Sequence, residues 1–324
     1  MLKSLSSIKA PIAEELLAFE THFRESMRSP VPLLDRITYY IVRRKGKQVR
    51  PMFIFLTAKM LDEVGDATYT AASLVELLHT ASLVHDDVVD DANERRGFFS
   101  INALWKNKAA VLVGDFLLTR GLRLALKQRQ YRMLELISEA FELIAEGELL
   151  QIEKARRLDI VEEVYYDVIK KKTASLIAAA CASGAASVTK NEDTIQQLWT
   201  FGETIGMAFQ IRDDLFDFGT NDVGKPLGID IKEKKMTLPL IYALRQAEPR
   251  QKKDILRLIK RYSEKPSTVR TVVDFVRQSG GLDYAREVMN RYRDEAFDIL
   301  HTFPPSEARQ SLEDLVNFVV EREK

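Results

Sequence analysis

Asp86-Asp87-Val88-Val89-Asp90 and Asp213-Asp214-Leu215-Phe216-Asp217 repeat one acidic pattern more than a hundred residues apart, each at the end of a long apolar run. On a helix, positions three and four apart share a face, so each motif stacks its carboxylates within about one turn. Like charges so close repel, and the repulsion grows where solvent is thin. A cation between them would remove it. Hard divalent cations such as Mg²⁺ take carboxylate oxygens and complete their shells with water and phosphate. No His or Cys set at ligand spacing accompanies the motifs, which argues against zinc. The first motif follows Leu74, Val75, Leu77, Leu78, Ala81, Leu83 and Val84, and the second follows Ile205, Met207, Ala208, Phe209 and Ile211. Carboxylates at the end of an apolar wall point to a pocket rather than to a solvated helix end.

Four basic features are placed to bind phosphate: Gly46-Lys47-Gln48-Val49-Arg50, Arg95-Arg96-Gly97, Lys171-Lys172-Thr173, and Gly224-Lys225 with Asp230, Lys234 and Lys235 beyond it. Each alone reads as surface charge. Together with both acidic motifs they form a set in which Lys and Arg donors and a divalent cation could converge on diphosphate oxygens.

From Gly46 to Thr237 these motifs, in this order, resemble those of the trans-isoprenyl diphosphate synthases, the all-helical prenyltransferases that make farnesyl and longer polyprenyl diphosphates. The resemblance implies that Asp86, Asp87, Asp90 and Asp213 ligate Mg²⁺, with Asp214 and Asp217 completing the second motif, and that about three ions grip a bound diphosphate. It places isopentenyl diphosphate on Lys47, Arg50, His79 and Arg96. It places the allylic diphosphate on Arg95, Lys172, Thr173, Gln210, Lys225 and Lys235, with Lys234 as the neighbour that could exchange roles with Lys235. Catalysis would then consist mainly of neutralising charge on the leaving diphosphate, with no dedicated general base. Family members are commonly homodimers.

Where relatives with short products carry aromatics four and five residues before the first motif, this chain has Ser82 and Ala81. The segment from His79 to His85 also looks like that of synthases with long products. Small side chains there leave a tunnel open, and a product of about six to eight isoprene units is expected. The alternatives are a farnesyl or geranylgeranyl diphosphate synthase, a terpene cyclase, a phosphohydrolase using a His85–Asp86 pair, and a non-catalytic helical partner subunit. The cyclase and the partner subunit fit less well, because the paired arginines and all the motif aspartates are present. For the phosphohydrolase, only His22 and His301 remain beyond His79, and both stand in unpromising contexts.

The elements that must hold these residues read as helices. Apolar residues recur at three and four almost throughout, and Gly and Pro fall mainly between periodic segments. Breaks are expected at residues 29–32, 45–47, 93–99, 188–193, 219–228 and 303–305, giving roughly ten to thirteen helices in an all-α fold. A single large helical bundle of the isoprenoid synthase type, with a central cavity and one domain over residues 1–324, is the expected architecture. The chain has 324 residues, 46% apolar, with 48 basic against 48 acidic side chains. That balance gives no general argument for nucleic acid or an anionic membrane as partner. No run approaches an integral membrane segment, and the single cysteine, Cys181, in an apolar stretch, fits core packing and a cytoplasmic setting.

Overall fold

The computed structural model describes residues 3–43, 46–95, 97–158, 161–219 and 228–321. Arg96 and Lys225, two of the expected phosphate ligands, lie outside them. The helices in chain order are α1 (Leu5–Lys9), α2 (Ala13–Ser26), α3 (Pro32–Val42), α4 (Val49–Leu61), α5 (Asp66–Val89), α6 (Ile101–Lys127), α7 (Tyr131–Arg157), α8 (Glu162–Ile169), α9 (Ser175–Ala186), α10 (Glu192–Phe216), α11 (Ile229–Lys232), α12 (Leu238–Gln246), α13 (Pro249–Tyr262), α14 (Pro266–Gln278), α15 (Gly281–His301) and α16 (Glu307–Glu321). Sixteen among the described residues exceeds the ten to thirteen expected. The excess comes from short pieces such as α1 and α11, and from breaks before Pro249 and Pro266. Each proline opens a new helix at a first-turn position, where its missing N–H costs nothing. The described strands, β1 (Glu94–Arg95) and β2 (Phe98–Phe99), pair antiparallel between α5 and α6, with Glu94 opposite Phe99.

The all-α architecture is arranged around α9. Its sequence, SLIAAACASGAA, is buried from Ser175 to Ala185 except at the partly exposed Ile177, and α4, α5, α7 and α10 pack on it. Small side chains explain how one helix accepts so many neighbours: Ala, Ser and Gly let backbones approach closely. Cys181 is fully buried in this helix, and burial raises its thiol far above the ordinary range, so its role is packing.

The two acidic motifs end the two long helices that flank this core. α5 stops at the Asp90 cap. α10 starts at Asn191, whose side-chain oxygen accepts from the Asp193 and Thr194 amides, and it has Glu192 and Asp193 in its first turn, where the helix dipole favours acid. At the far end the dipole is reversed, so both motifs place carboxylates where the helix itself disfavours them. No described helix is long and apolar enough to cross a membrane.

Candidate active site

Within the first motif the carboxylates differ. Asp87 is 4% exposed, and its Oδ1 accepts from Arg95 Nε at 2.6 Å, so the β1 arginine is tied to the motif it follows. The Asp87 carbonyl accepts from Asn102 Nδ2, which fastens α5 to the start of α6. Asp86 is half-buried, and its carboxylate makes no hydrogen bond among the described residues. Its acidity is weakened, first by burial, then by Glu148 on α7 and by Asp90, with Arg95 and Lys172 pulling the other way. Asp90 is exposed at the helix end. Glu148 is a carboxylate that the motif reading missed. It takes Lys172 Nζ at 2.7 Å, and Gln151 of the same helix takes it at 3.2 Å. The only hint in sequence was Gly147-Glu148 with Gln151 on the same helical face.

Lys172 and Thr173 stand on a π-helical turn, Lys170–Ala174, inserted between α8 and α9. Such turns are rare and collect at functional sites. Backbones press on it from both sides. A Cβ on Gly147 of α7 would come within 2.9 Å of Lys172 N, and one on Gly206 of α10 within 2.4 Å of Ala174 Cα. The turn joins the two motifs: Lys172 acts on Asp86, while Thr173 Oγ1 donates to Gln210 Oε1 at 2.7 Å, one turn before Asp214.

In the second motif Asp214 is buried, accepting from Tyr165 Oη at 2.7 Å and from Gln210 Nε2 at 2.8 Å. Burial, with Asp230 and Asp213 adding to it, outweighs those bonds and lifts its carboxyl to about 7. Asp217 accepts from the Ile229 and Asp230 amides and so caps α11. Burial and Asp230 lift it to about 6. Asp213 is half-buried, and its carboxylate makes no hydrogen bond among the described residues. Asp230 adds a further carboxylate, and Lys235 reaches it at 3.5 Å and Glu233 at 2.5 Å. Of the two adjacent lysines, Lys235 is therefore the one at the acidic cluster.

Beside the first motif lies a cavity of about 630 Å³, lined by Lys47, Arg50, Glu76, His79, Asp87 and Arg95 at its polar end and by Phe19, Phe53, Leu83 and Phe209 elsewhere. Arg50 is held by Glu76, one turn before His79, through Nε to Oε1 at 2.7 Å. Lys47 Nζ lies over the Phe318 ring, and Val319 also lines the cavity, so α16 closes one side of the anion site. Neither Ala81 nor Ser82 lines this cavity. Ala81 is 2% exposed in the core, and the Ser82 hydroxyl donates to the His79 carbonyl.

The donor set fits divalent cations with hard-oxygen preference. Burial weakens the acidity of Asp86 in one cluster and of Asp214 and Asp217 in the other, and the carboxylates of Asp86 and Asp213 keep uncommitted oxygens. Among the described residues no three His, Cys, Asp or Glu side chains close into a ready cage. An ion here would need water and phosphate oxygens to complete its shell, which is the habit of Mg²⁺. His85 has no place in a metal centre. Its Nε2 lies 3.2 Å from the Val111 carbonyl, against α6, while His22 stacks near Tyr69 and His301 meets Glu313. A histidine-ligated phosphohydrolase site is therefore not assembled among the described residues.

Residues 31–276 match the polyprenyl synthetase family model. The octaprenyl diphosphate synthase of Escherichia coli is 36% identical over 99% of this chain and 100% of its own. Among solved structures, a decaprenyl diphosphate synthase from Rhodobacter capsulatus superposes with a TM-score of 0.93 at 34% identity, covering 99% of this chain and 100% of that one. A geranylgeranyl pyrophosphate synthase from Bacteroides thetaiotaomicron gives 0.83 at 38% identity, covering 98% and 99%.

Proposed function

The chain belongs to the polyprenyl synthetase family and is a prenyltransferase, and we propose that it condenses isopentenyl diphosphate with an allylic diphosphate, using Mg²⁺, into a product of about six to eight isoprene units. The observation that carries the reading is the continuity of the site. The Lys172–Thr173 turn links both acidic motifs beside a cavity lined with Lys47, Arg50 and His79.

In this reading Lys47, Arg50, His79 and Arg96 hold the isopentenyl diphosphate, and Glu76 keeps the Arg50 fork aimed. Arg95, Lys172, Thr173, Gln210, Lys225 and Lys235 serve the allylic diphosphate. Asp86, Asp87, Asp90 and Asp213 would hold about three Mg²⁺ ions, which when bound supply charge neutralisation at the leaving group. The allylic C–O bond breaks and the diphosphate leaves with its electron pair. The isopentenyl double bond attacks the cation, and the carbon next to the new cationic centre gives up a proton to the departed diphosphate, its C–H electron pair forming the new double bond. Phe19, Phe53, Leu83 and Phe209 keep water from the cation.

Long product length is supported by the likeness to the octaprenyl synthase. The geranylgeranyl synthase, at 38% identity, supports the shorter product as the second reading. Exposed Leu104, Val111 and Leu112 on α6 and Leu149 and Ile152 on α7 support a homodimer. A cytoplasmic setting is supported by the buried lone thiol. The test is incubation of purified protein with Mg²⁺, labelled isopentenyl diphosphate and farnesyl diphosphate, with mass analysis and a chelator control. A metal-dependent ladder of long products is expected. Extension of dimethylallyl diphosphate alone would favour the short-chain reading, and no condensation with either primer would overturn both.

A further inference from the structure

Tyr165 stands on α8, outside every acidic and basic motif, and is 4% exposed. Its phenol donates to Asp214 Oδ2 at 2.7 Å, Gln210 Nε2 donates to Asp214 Oδ1 at 2.8 Å, and Thr173 Oγ1 donates to Gln210 Oε1 at 2.7 Å. We propose that Tyr165 is a positioning residue, which fixes Asp214 and thereby sets the direction of a hydrogen-bond relay ending on the Thr173 hydroxyl. The proposal rests on the prenyltransferase reading of the site and assigns a task within it to a residue that no motif contains.

The direction follows from what each group can do. Both Asp214 oxygens accept, Oδ2 from the phenol and Oδ1 from the Gln210 NH₂, so Gln210 presents its carbonyl oxygen to Thr173. The Thr173 proton is then committed to Gln210, and the threonine oxygen is left with lone pairs for the ligand side. Lone pairs attract a positive centre, such as an ammonium or a developing allylic cation, and repel a phosphate oxygen. The relay holds only while both Asp214 oxygens are engaged. Without the phenol, Oδ2 becomes a buried acceptor with no donor, the carboxyl is driven to turn or to take up a proton, and the amide of Gln210 is released to flip. Tyr165 itself is anchored independently of the site. The next residue, Tyr166, donates to Glu162 at 2.9 Å, and Arg245 of α12 grips the other oxygen of Glu162 at 2.8 Å.

The test compares Tyr165→Phe, Thr173→Val and the double variant with wild type. Tyr165→Phe is expected to lower kcat by about tenfold, the worth of one hydrogen bond to a charged group, while KM for isopentenyl diphosphate stays unchanged, because Lys47, Arg50 and His79 are not in the relay. In the Thr173→Val background the same change should have little further effect on kcat. A second readout needs no turnover. In protein labelled with ¹⁵N-glutamine, the Gln210 side-chain amide, assigned by its loss in Gln210→Glu, should shift in Tyr165→Phe. If Tyr165→Phe fails to fold, Asp214→Asn takes its place. Its amide can donate to Gln210 and reverse the relay, so the same resonance should move. Independent, multiplying effects of the two single variants on kcat, or an unmoved Gln210 amide in a folded variant, would overturn the relay. Should wild type condense nothing, the function fails alone, since the Gln210 resonance still reports the hydrogen bonds.

Discussion

Asp214 and Asp217 are already engaged by the protein, one by Tyr165 and Gln210 and the other by the amides of α11, whereas Asp86 and Asp213 are not. The division of labour predicts that Asp86→Ala or Asp213→Ala cuts turnover by orders of magnitude and leaves thermal stability equal or higher, because each removes a repelling charge. Steady-state kinetics alongside a melting curve checks both halves, and near-normal turnover would remove that motif from catalysis. Asp214 makes a separate prediction about pH. Its carboxyl sits at about 7 in the fold, above its ordinary 3.8, so the folded chain keeps a proton that the unfolded chain has released. Stability from this group is therefore present at low pH and lost as pH rises from about 4 to about 7. In metal-free protein the melting temperature of Asp214→Asn should fall less steeply over that interval than that of wild type. Parallel slopes would mean that the carboxyl titrates normally. At this scale the sequence was informative where chemistry is local. The aspartate pairs, Lys172-Thr173 and the Gly-Lys-x-x-Arg run are short patterns whose meaning survives without tertiary context. Glu148, Glu76 and Tyr165 carry no such pattern, since each acquires its role from a side chain more than seven residues away.

The elements were legible in kind and less so in detail. Periodicity is enough for the long helices α5 and α10: the apolar pattern reads as helix from Ala67 to Asp91 and from Asn191 to Phe218, within one or two residues of the observed ends. The π turn was not legible, because one residue of extra winding leaves the apolar pattern nearly intact. Its support is testable at Gly206. A methyl there would stand 2.4 Å from Ala174 Cα, a backbone atom that cannot swing aside. Gly206→Ala should cost about 1–3 kcal/mol of stability by overpacking and displace Thr173, so that kcat falls while the fold survives. Denaturant unfolding and kinetics would read the two effects. Unchanged stability would mean that α10 can shift freely. Ala81 belongs to α5, with 2% exposure. If the growing chain passes it, Ala81→Phe should shorten the product, as seen in the mass distribution. An unaltered distribution would put the limit on another helix.

At the scale of the whole molecule, the carboxylates crowd the ends of two helices whose dipoles oppose them, and the fold holds them there through the packing of α9 and its neighbours. A ligand that neutralises them should stabilise the entire bundle. Mg²⁺ with pyrophosphate at about 100 times its dissociation constant is expected to add about 2.7 kcal/mol, visible as a raised melting temperature that chelator reverses. Neither component alone should match the pair, and equal shifts from pyrophosphate without metal would separate anion binding from the aspartates. The same strain bears on how such a chain would change over generations. Substitutions that neutralise the motif ends would make a sturdier protein at the expense of its chemistry. A duplicated copy freed from selection for turnover would drift first at Asp86 and Asp213, gaining stability as it fell silent.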